Sequence, residues 1–497
     1  MRNILALPSL RPSGKVALPP SPVALGFPKF TLRRSIAAAI VTIALAFSGL
    51  FLWTSFAKSD ALSHADLDKN NVALNPPRVE HLPDREDVLP VSLRPETYLA
   101  GPPTAHFKDS LKNDTRYMTS WLSAGWTNDV MTIGNLIYLA LITDRVPVIP
   151  PFTSHIGGAS VPIAFSAIFD VSRLAREIGA PVLEWHQIKD IALAESLAEQ
   201  DDLGCWNIWE VDNIPADAPR GSYTTLMLNL DISYTRAPEW VKLIPGFLHD
   251  SHSSFWSLAK LAFPETRSDV LANPAAHPTR ASERHRVFIP PDEQLLCYDY
   301  LYYVCGERPL EYDYDYSPAW RFVVKYFRWT RDLEQLAEEY LRRTLNVPEG
   351  RPIPPYITVH ARRGDFVNWC GEVPRDGCFS SLSVFARRVF EVQQELRERH
   401  GIEAHHVIMT SDESDEGWWD GVRALGWLRV DHERAQTIEL YGRWYTVILD
   451  AVIQSLGMGF VGTDRSTFSI LARRRVQDWN DGAVRTVLWG HSGSDEH

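Results

Sequence analysis

The sequence predicts an α/β protein made of two Rossmann-like halves that face a cleft. Three observations predict it. From residue 317 onward, apolar runs of strand length alternate with helix-length runs, the pattern of a parallel, doubly wound sheet. Three of those strands end in clusters of charged and hydroxyl residues, and ligands of open α/β sheets bind at that edge. Residues 116–150 show strand, glycine-containing loop, helix and strand in the order that opens a second parallel unit.

The chain of 497 residues is long enough for two or three domains, and 45% apolar residues supply their cores. Its net charge is −12, unevenly placed. Residues 1–34 carry Arg2, Arg11, Lys15, Lys29, Arg33 and Arg34 and no acid. With its Pro-rich composition this segment reads as a disordered cytoplasmic tail. The remaining body is acidic, which argues against a nucleic-acid partner, since that needs a broad cationic face. Residues 35–56 form 22 uncharged residues directly after the basic tail. That length spans a bilayer, and the flanking charge puts the tail in the cytoplasm and the body across the membrane. A cleaved signal peptide is the rival reading, with Ser55 and Ala57 as cleavage-site residues. The long leader and long apolar run favour an uncleaved anchor. Residues 57–112 are polar and dotted with prolines and read as a stem. The body then divides at 113–316 and 317–497.

In the first half, strands are expected at 116–122 and 146–150, with a loop at 123–128 and a helix over 129–143. Residues 205–320 are rich in Pro, His and Tyr and show no clear period. In the second half a long helix is expected over 317–345. Strands follow at 356–360, 407–410, 428–430, 459–461 and 484–488, with helices at 382–400, 418–425, 443–456 and 466–479 between them. Among five cysteines, Cys297 with Cys305 and Cys370 with Cys378 are close enough for local bridges in an oxidising lumen, leaving Cys205 over. No CxxC pair supports a zinc site. Asn113-Asp114-Thr115 is a glycan acceptor sequon if the body is lumenal.

Three strand ends carry the chemistry. The run Tyr356–Val359 ends in His360, Arg362, Arg363, Gly364 and Asp365; two permanently charged guanidinium groups there suit a phosphate-bearing ligand. The run 407–410 ends in Ser411, Asp412, Glu413, Asp415 and Glu416. Asp412 can accept from a base edge or a ribose, and the other acids either meet the ligand or favour the next helix N-terminus. The third run ends in Gly462-Thr463-Asp464-Arg465-Ser466-Thr467-Phe468-Ser469. Ser466 or Thr467 is an N-cap there, and the hydroxyls and first-turn N–H groups make an anion pocket suited to a diphosphate. Asp313 and Asp315 form an Asp-x-Asp pair of the kind that holds a divalent metal, but arginines make a metal dispensable.

Together these motifs resemble the GDP-fucose protein O-fucosyltransferase family. HARRGDF at 360–366 matches its His-x-Arg-Arg-Gly-Asp motif, and Ser411-Asp412 and GTDRSTFS at 462–469 follow in order. Gly125-Trp126-Thr127-Asn128 with its helix matches the family's N-terminal loop. The resemblance covers about residues 115–490 and is weak in the middle. It implies a GT-B architecture, a GDP-fucose donor, inversion at the sugar carbon and no metal or other cofactor. It implies that Arg362 neutralises the β-phosphate of the departing GDP and that Arg363 and Asp365 belong to the same donor-binding turn. His360 and Asp412 would contact the nucleoside, and Ser466, Thr467 and Phe468 the diphosphate and base. Gly125, Trp126 and Asn128 would sit at sugar and acceptor. The glutamate that some members carry before the loop is replaced by Ala124 after Ser123. That leaves Asn128 to orient the acceptor, with a phosphate oxygen or water taking its proton, and Asp129 as a further catalytic candidate. The resemblance points to a type II protein of the Golgi or ER that acts on a protein or glycan hydroxyl. A transferase for another nucleotide sugar, or an inactive relative that only binds, are the alternatives.

Overall fold

The computed structural model describes residues 89–153, 161–197, 200–211, 218–244 and 251–495. The expected tail and membrane anchor lie outside the described residues, within which no helix is long and apolar enough to cross a membrane.

The strands, in chain order, are β1 (Tyr117–Ser120), β2 (Val146–Ile149), β3 (Leu183–Glu184), β4 (Asp201–Asn207), β5 (Leu230–Arg236), β6 (Lys242–Ile244), β7 (His252–Ser254), β8 (Thr279–Arg280), β9 (Leu295–Tyr298), β10 (Val304–Cys305), β11 (Tyr356–Ala361), β12 (His406–Ser411), β13 (Gly459–Thr463) and β14 (Ala483–Val487). The first sheet has the order β3-β2-β1-β9-β4-β5-β8. It is parallel except for β8, which runs antiparallel to β5. The second has the order β12-β11-β13-β14 and is wholly parallel. β6, β7 and β10 form a small third sheet. The α/β class and the pair of parallel sheets therefore agree with the sequence.

The helix Trp126–Ile142 covers the first sheet. Its residues from Trp126 to Ala140 are buried apart from Asn128. In the second sheet every residue of β11 is buried, as expected of a central strand with helices on both faces. One apolar cluster joins the halves: Ile133 and Ile137 share it with Trp320, Trp329, Ile448, Val452 and Leu471.

Several sequence readings need correction. The 317–345 helix is broken into Pro318–Phe322, a 3₁₀ turn Val324–Tyr326 and Arg331–Leu345. Phe327 and Trp329 interrupt it because both side chains turn into the core, and Trp329 pairs with Phe169. The 428–430 strand is reduced to one bridge, Leu428 with Ile408. The unreadable middle supplies β4 to β10, with β9 at the centre of the first sheet. Cys297 bonds Cys205 rather than Cys305, because β9 and β4 are sheet neighbours, and Cys305 on β10 is a buried free thiol. The Cys370–Cys378 bridge forms as expected. Of the stem expected over 57–112, the part from 89 onward packs on the body, with Phe107 and Leu111 buried beside Tyr117 and Trp185.

Candidate functional site at the carboxyl ends of two sheets

Parallel pairing brings the three expected strand ends to one edge, with β11 between β12 and β13. Thr463 Oγ1 joins two of them. It donates to the His360 carbonyl (3.1 Å) and accepts from the Arg362 N–H (3.0 Å). The Arg362 guanidinium is a third exposed and is held by Asp365 (2.8 Å) and Asp412 (3.1 Å). Asp412 also accepts from the Arg363 N–H (2.7 Å). A Cβ on Gly364 would lie 2.6 Å from an Asp412 oxygen, so this tight turn requires glycine.

Arg363 and Asp412 differ from expectation. Arg363 is buried, bonds Glu413 (2.8 Å) and lies over the rings of Phe379 and Trp418. It props the turn rather than presenting its charge to a ligand. One Asp412 oxygen accepts from the Arg363 N–H and the other faces the Arg362 guanidinium, so this carboxylate also braces the turn. Arg375 shares Glu413 with Arg363 (2.7 Å), and these cations hold that carboxyl below its usual range against the effect of burial.

His360 is buried, with Nδ1 2.8 Å from Ser469 Oγ and its ring 4.9 Å from that of Phe468. Burial, reinforced by the nearby Arg362 charge, pushes it down to about 3, so it stays neutral at physiological pH. Ser466 caps the helix Thr467–Asn480 by accepting from the Ser469 N–H. The left-handed Arg465 (φ +62°) turns the chain into that cap. First-turn N–H groups have no intrahelical acceptor, so this end is suited to an anion.

The helix Trp126–Ile142 brings the other expected residues to the same place. Thr467 Oγ1 donates to Asn128 Oδ1 (2.6 Å) and lies 2.8 Å from Thr127 Oγ1. The Trp126 ring packs 6.4 Å from Phe468. Gly125 is the N-cap, so the helix begins three residues earlier than expected and takes in Trp126 and Asn128. Asp129 is 1% exposed and accepts from the Ala124 N–H (3.1 Å). Burial holds its carboxyl well above the usual range, only partly opposed by the Ala124 and Ser123 N–H groups and Arg220. Asp129 thereby ties the backbone of the 123–125 loop to the start of the helix. Asp313 and Asp315 are paired with Arg473 and Arg474, which occupy the carboxylates a metal would need.

Sequence reasoning missed Asp450. A cavity of about 240 Å³ opens beyond β12, lined by Ser411, Trp419, Arg429, His432 and Asp450 among others. His432 Nε2 lies 3.1 Å from Asp450. The signal was one acid inside the apolar helical run Trp444–Leu456. A larger cavity of about 530 Å³, lined by Glu334, Leu341, Pro355 and Tyr356, lies at the amino end of β11, away from this edge.

The family profile described as GDP-fucose protein O-fucosyltransferase matches residues 117–477. No curated protein matches the chain. Among solved structures, POFUT1 in its apo form is 14% identical with a TM-score of 0.44, over 77% of this chain and 99% of that one. POFUT1 in complex with GDP-fucose gives 14% and 0.44 over 76% and 99%. NodZ alpha-1,6-fucosyltransferase soaked with GDP-fucose gives 13% and 0.35 over 73% and 93%.

Proposed function

The chain belongs to the GDP-fucose protein O-fucosyltransferase family and is a glycosyltransferase, and from that premise we propose that it transfers fucose from GDP-fucose to a hydroxyl of a protein or glycan, with inversion and without a metal. The observation that carries this is the Arg362 turn, hydrogen-bonded through Thr463 to the loop that leads into the Thr467–Asn480 helix. In transfer, the bond from the sugar carbon to the β-phosphate oxygen breaks and the acceptor oxygen bonds that carbon from the opposite face. Negative charge then develops on the departing diphosphate. A fixed guanidinium and helix N–H groups stabilise it without solvent reorganisation. Asp365 and Asp412 orient the Arg362 guanidinium, and a bound diphosphate would share its charge.

On the other side, Asn128 spends its carbonyl on Thr467, which leaves its amide N–H groups to orient sugar or acceptor. The acceptor proton passes to a phosphate oxygen or water. The cavity beside β12 takes the base: a carboxylate such as Asp450 matches the paired N–H donors of guanine. One observation favours a second reading, a nucleotide-sugar-binding relative without turnover. The loop 123–129 offers a single carboxyl, Asp129, and it is buried, which raises it above the usual carboxyl range.

The apolar segment 35–56 and the two disulfides support a type II protein of the Golgi or ER with a lumenal body. A thermal-shift series with GDP, UDP, CMP and their sugars, together with GDP-fucose turnover, tests the proposal. GDP and GDP-fucose should raise Tm selectively. Arg362→Ala should lower turnover by about 100-fold or more. A selective shift with UDP would replace the donor. Binding of GDP-fucose without any turnover would establish the second reading.

A further inference from the structure

Both arginines of the 360–365 turn rest on phenylalanines, and both phenylalanines rest on one tryptophan. Arg362 lies 5.7 Å over the Phe366 ring and Arg363 5.0 Å over that of Phe379. Phe366 is 4.8 Å and Phe379 5.8 Å from the Trp489 ring. The Trp489 indole N–H donates to the Asp464 carbonyl (2.9 Å), in the loop between β13 and the Ser466 cap. One side chain therefore touches the supports of both guanidinium groups and the backbone of the anion-binding loop.

Trp489 is itself fixed from two sides. The segment that follows β14 is pinned by Asp495, which is buried against Arg388 (3.1 Å) and accepts from the Leu488 N–H (3.1 Å). The loop closed by the Cys370–Cys378 bridge is laced to the same segment. Gly490 N–H donates to the Cys378 carbonyl (2.8 Å) and Ser380 Oγ to the Leu488 carbonyl (2.7 Å). Cys370, Cys378 and Phe379 form a small apolar cluster of their own with Phe366 and Trp489 packed on it.

We propose that Trp489 is a positioning residue for the donor diphosphate, holding Phe366 and the Asp464 loop so that Arg362 and the Ser466 helix end face one anion together. This rests on the reading that Arg362 and that helix end bind the diphosphate. Arg362 is half-buried on a turn and has many rotamers to lose. A ring fixed beneath it reduces that loss before the ligand arrives, which strengthens binding without a new contact to the ligand.

The test is a double-mutant cycle on GDP affinity by calorimetry, with GDP-fucose turnover measured in parallel. Trp489→Ala should weaken GDP on the order of tenfold, and Trp489→Phe, which keeps a ring against Phe366 but loses the N–H to the Asp464 carbonyl, should recover part of it. Combined with Arg362→Ala, Trp489→Ala should add clearly less than it costs alone, because only the part that runs through the Asp464 loop remains. If Arg362→Ala leaves GDP affinity unchanged, the diphosphate reading itself falls. If Arg362→Ala weakens GDP while Trp489→Ala does not, or if the two losses add in full, the positioning role is overturned and Trp489 is packing alone. Should Trp489→Ala not fold, Trp489→Leu, which keeps apolar bulk without the ring, is judged by the same criteria.

Discussion

Burial shifts His360 down and Asp129 up, each toward its uncharged form, and the two leave pH signatures of opposite sense. His360 sits at about 3 in the folded chain, against roughly 6.5 for an unperturbed histidine. Below that ordinary value the unfolded chain takes up a proton that the folded chain refuses. Stability from this group is thus present above about 6.5 and is lost as pH falls toward 3. His360→Gln, which can still bond Ser469, should flatten the decline of Tm between about pH 6.5 and 4; parallel curves for the two proteins would contradict the assignment. Asp129 is raised, so its folded form keeps a proton that the unfolded chain releases. Its contribution is therefore largest at low pH and shrinks as pH rises above the usual carboxyl range. Asp129→Asn keeps an acceptor for the Ala124 N–H and removes the ionisation. Its Tm at neutral pH should be equal or higher, and turnover should stay within about threefold, since general-base loss typically costs 100-fold or more. A collapse of turnover with Tm intact would restore Asp129 as the base.

At the level of elements, residues 116–150 and most of the second half were legible, while the stretch from about 205 to 320 was not, for a physical reason. The strands β11, β12 and β13 are largely apolar runs that stop at charged or hydroxyl residues. The helix Leu382–His400 falls where it was expected because Gly401 takes the left-handed C-cap position (φ +66°). In the first half, β9 is four fully buried residues after a proline pair, too short to show a period. Its place beside β4 is fixed by tertiary contacts: the pair Trp206 with Tyr298, the Cys205–Cys297 bridge, the Asp292 and Asp299 N–H groups donating to the Gly204 and Trp206 carbonyls, and Asn207 and Ile208 donating to the Asp299 carboxylate. Spacing alone favoured Cys305 as the partner, since nothing local announces a strand neighbour 92 residues away. The bridge crosses that seam between two fully buried residues. Cys205→Ala with Cys297→Ala should lower unfolding free energy by about 3 kcal/mol in urea titrations. An unchanged midpoint and slope would mean the β4–β9 seam holds without it. The residues of the Thr467–Asn128 link were legible as motifs, but their mutual bond was not, because no local pattern pairs positions more than three hundred apart. Thr467→Val should cost about 1 kcal/mol of stability and lower kcat/KM more than it weakens GDP, because it loosens the acceptor side while leaving the Arg362 turn intact.

For the whole molecule, the boundary of the folded body lies earlier than composition suggested. Prolines and polar residues made 57–112 read as a stem, yet the chain from residue 89 onward packs on the body and from Ala105 enters the core beside the first sheet. Phe107 is fully buried against Trp185, and Leu111 lies in the same cluster. The Tyr117 hydroxyl donates to the Tyr98 carbonyl (2.6 Å), Lys112 Nζ to that of Thr97 (2.6 Å), and the Phe107 N–H to buried Asp201 (3.1 Å). Removing one buried phenylalanine side chain typically costs about 3–5 kcal/mol, a large share of the 5–15 kcal/mol that holds an ordinary domain together. Removing the whole 89–112 segment also uncovers Tyr117 and Trp185. A chain beginning at residue 89 should therefore unfold in one cooperative transition and gain Tm on binding GDP. A chain beginning at 113, the composition-based boundary, should aggregate or lose near-UV structure. If the shorter chain instead melts at the same temperature as the longer one and binds GDP equally well, the 89–112 segment is a covering rather than part of the core.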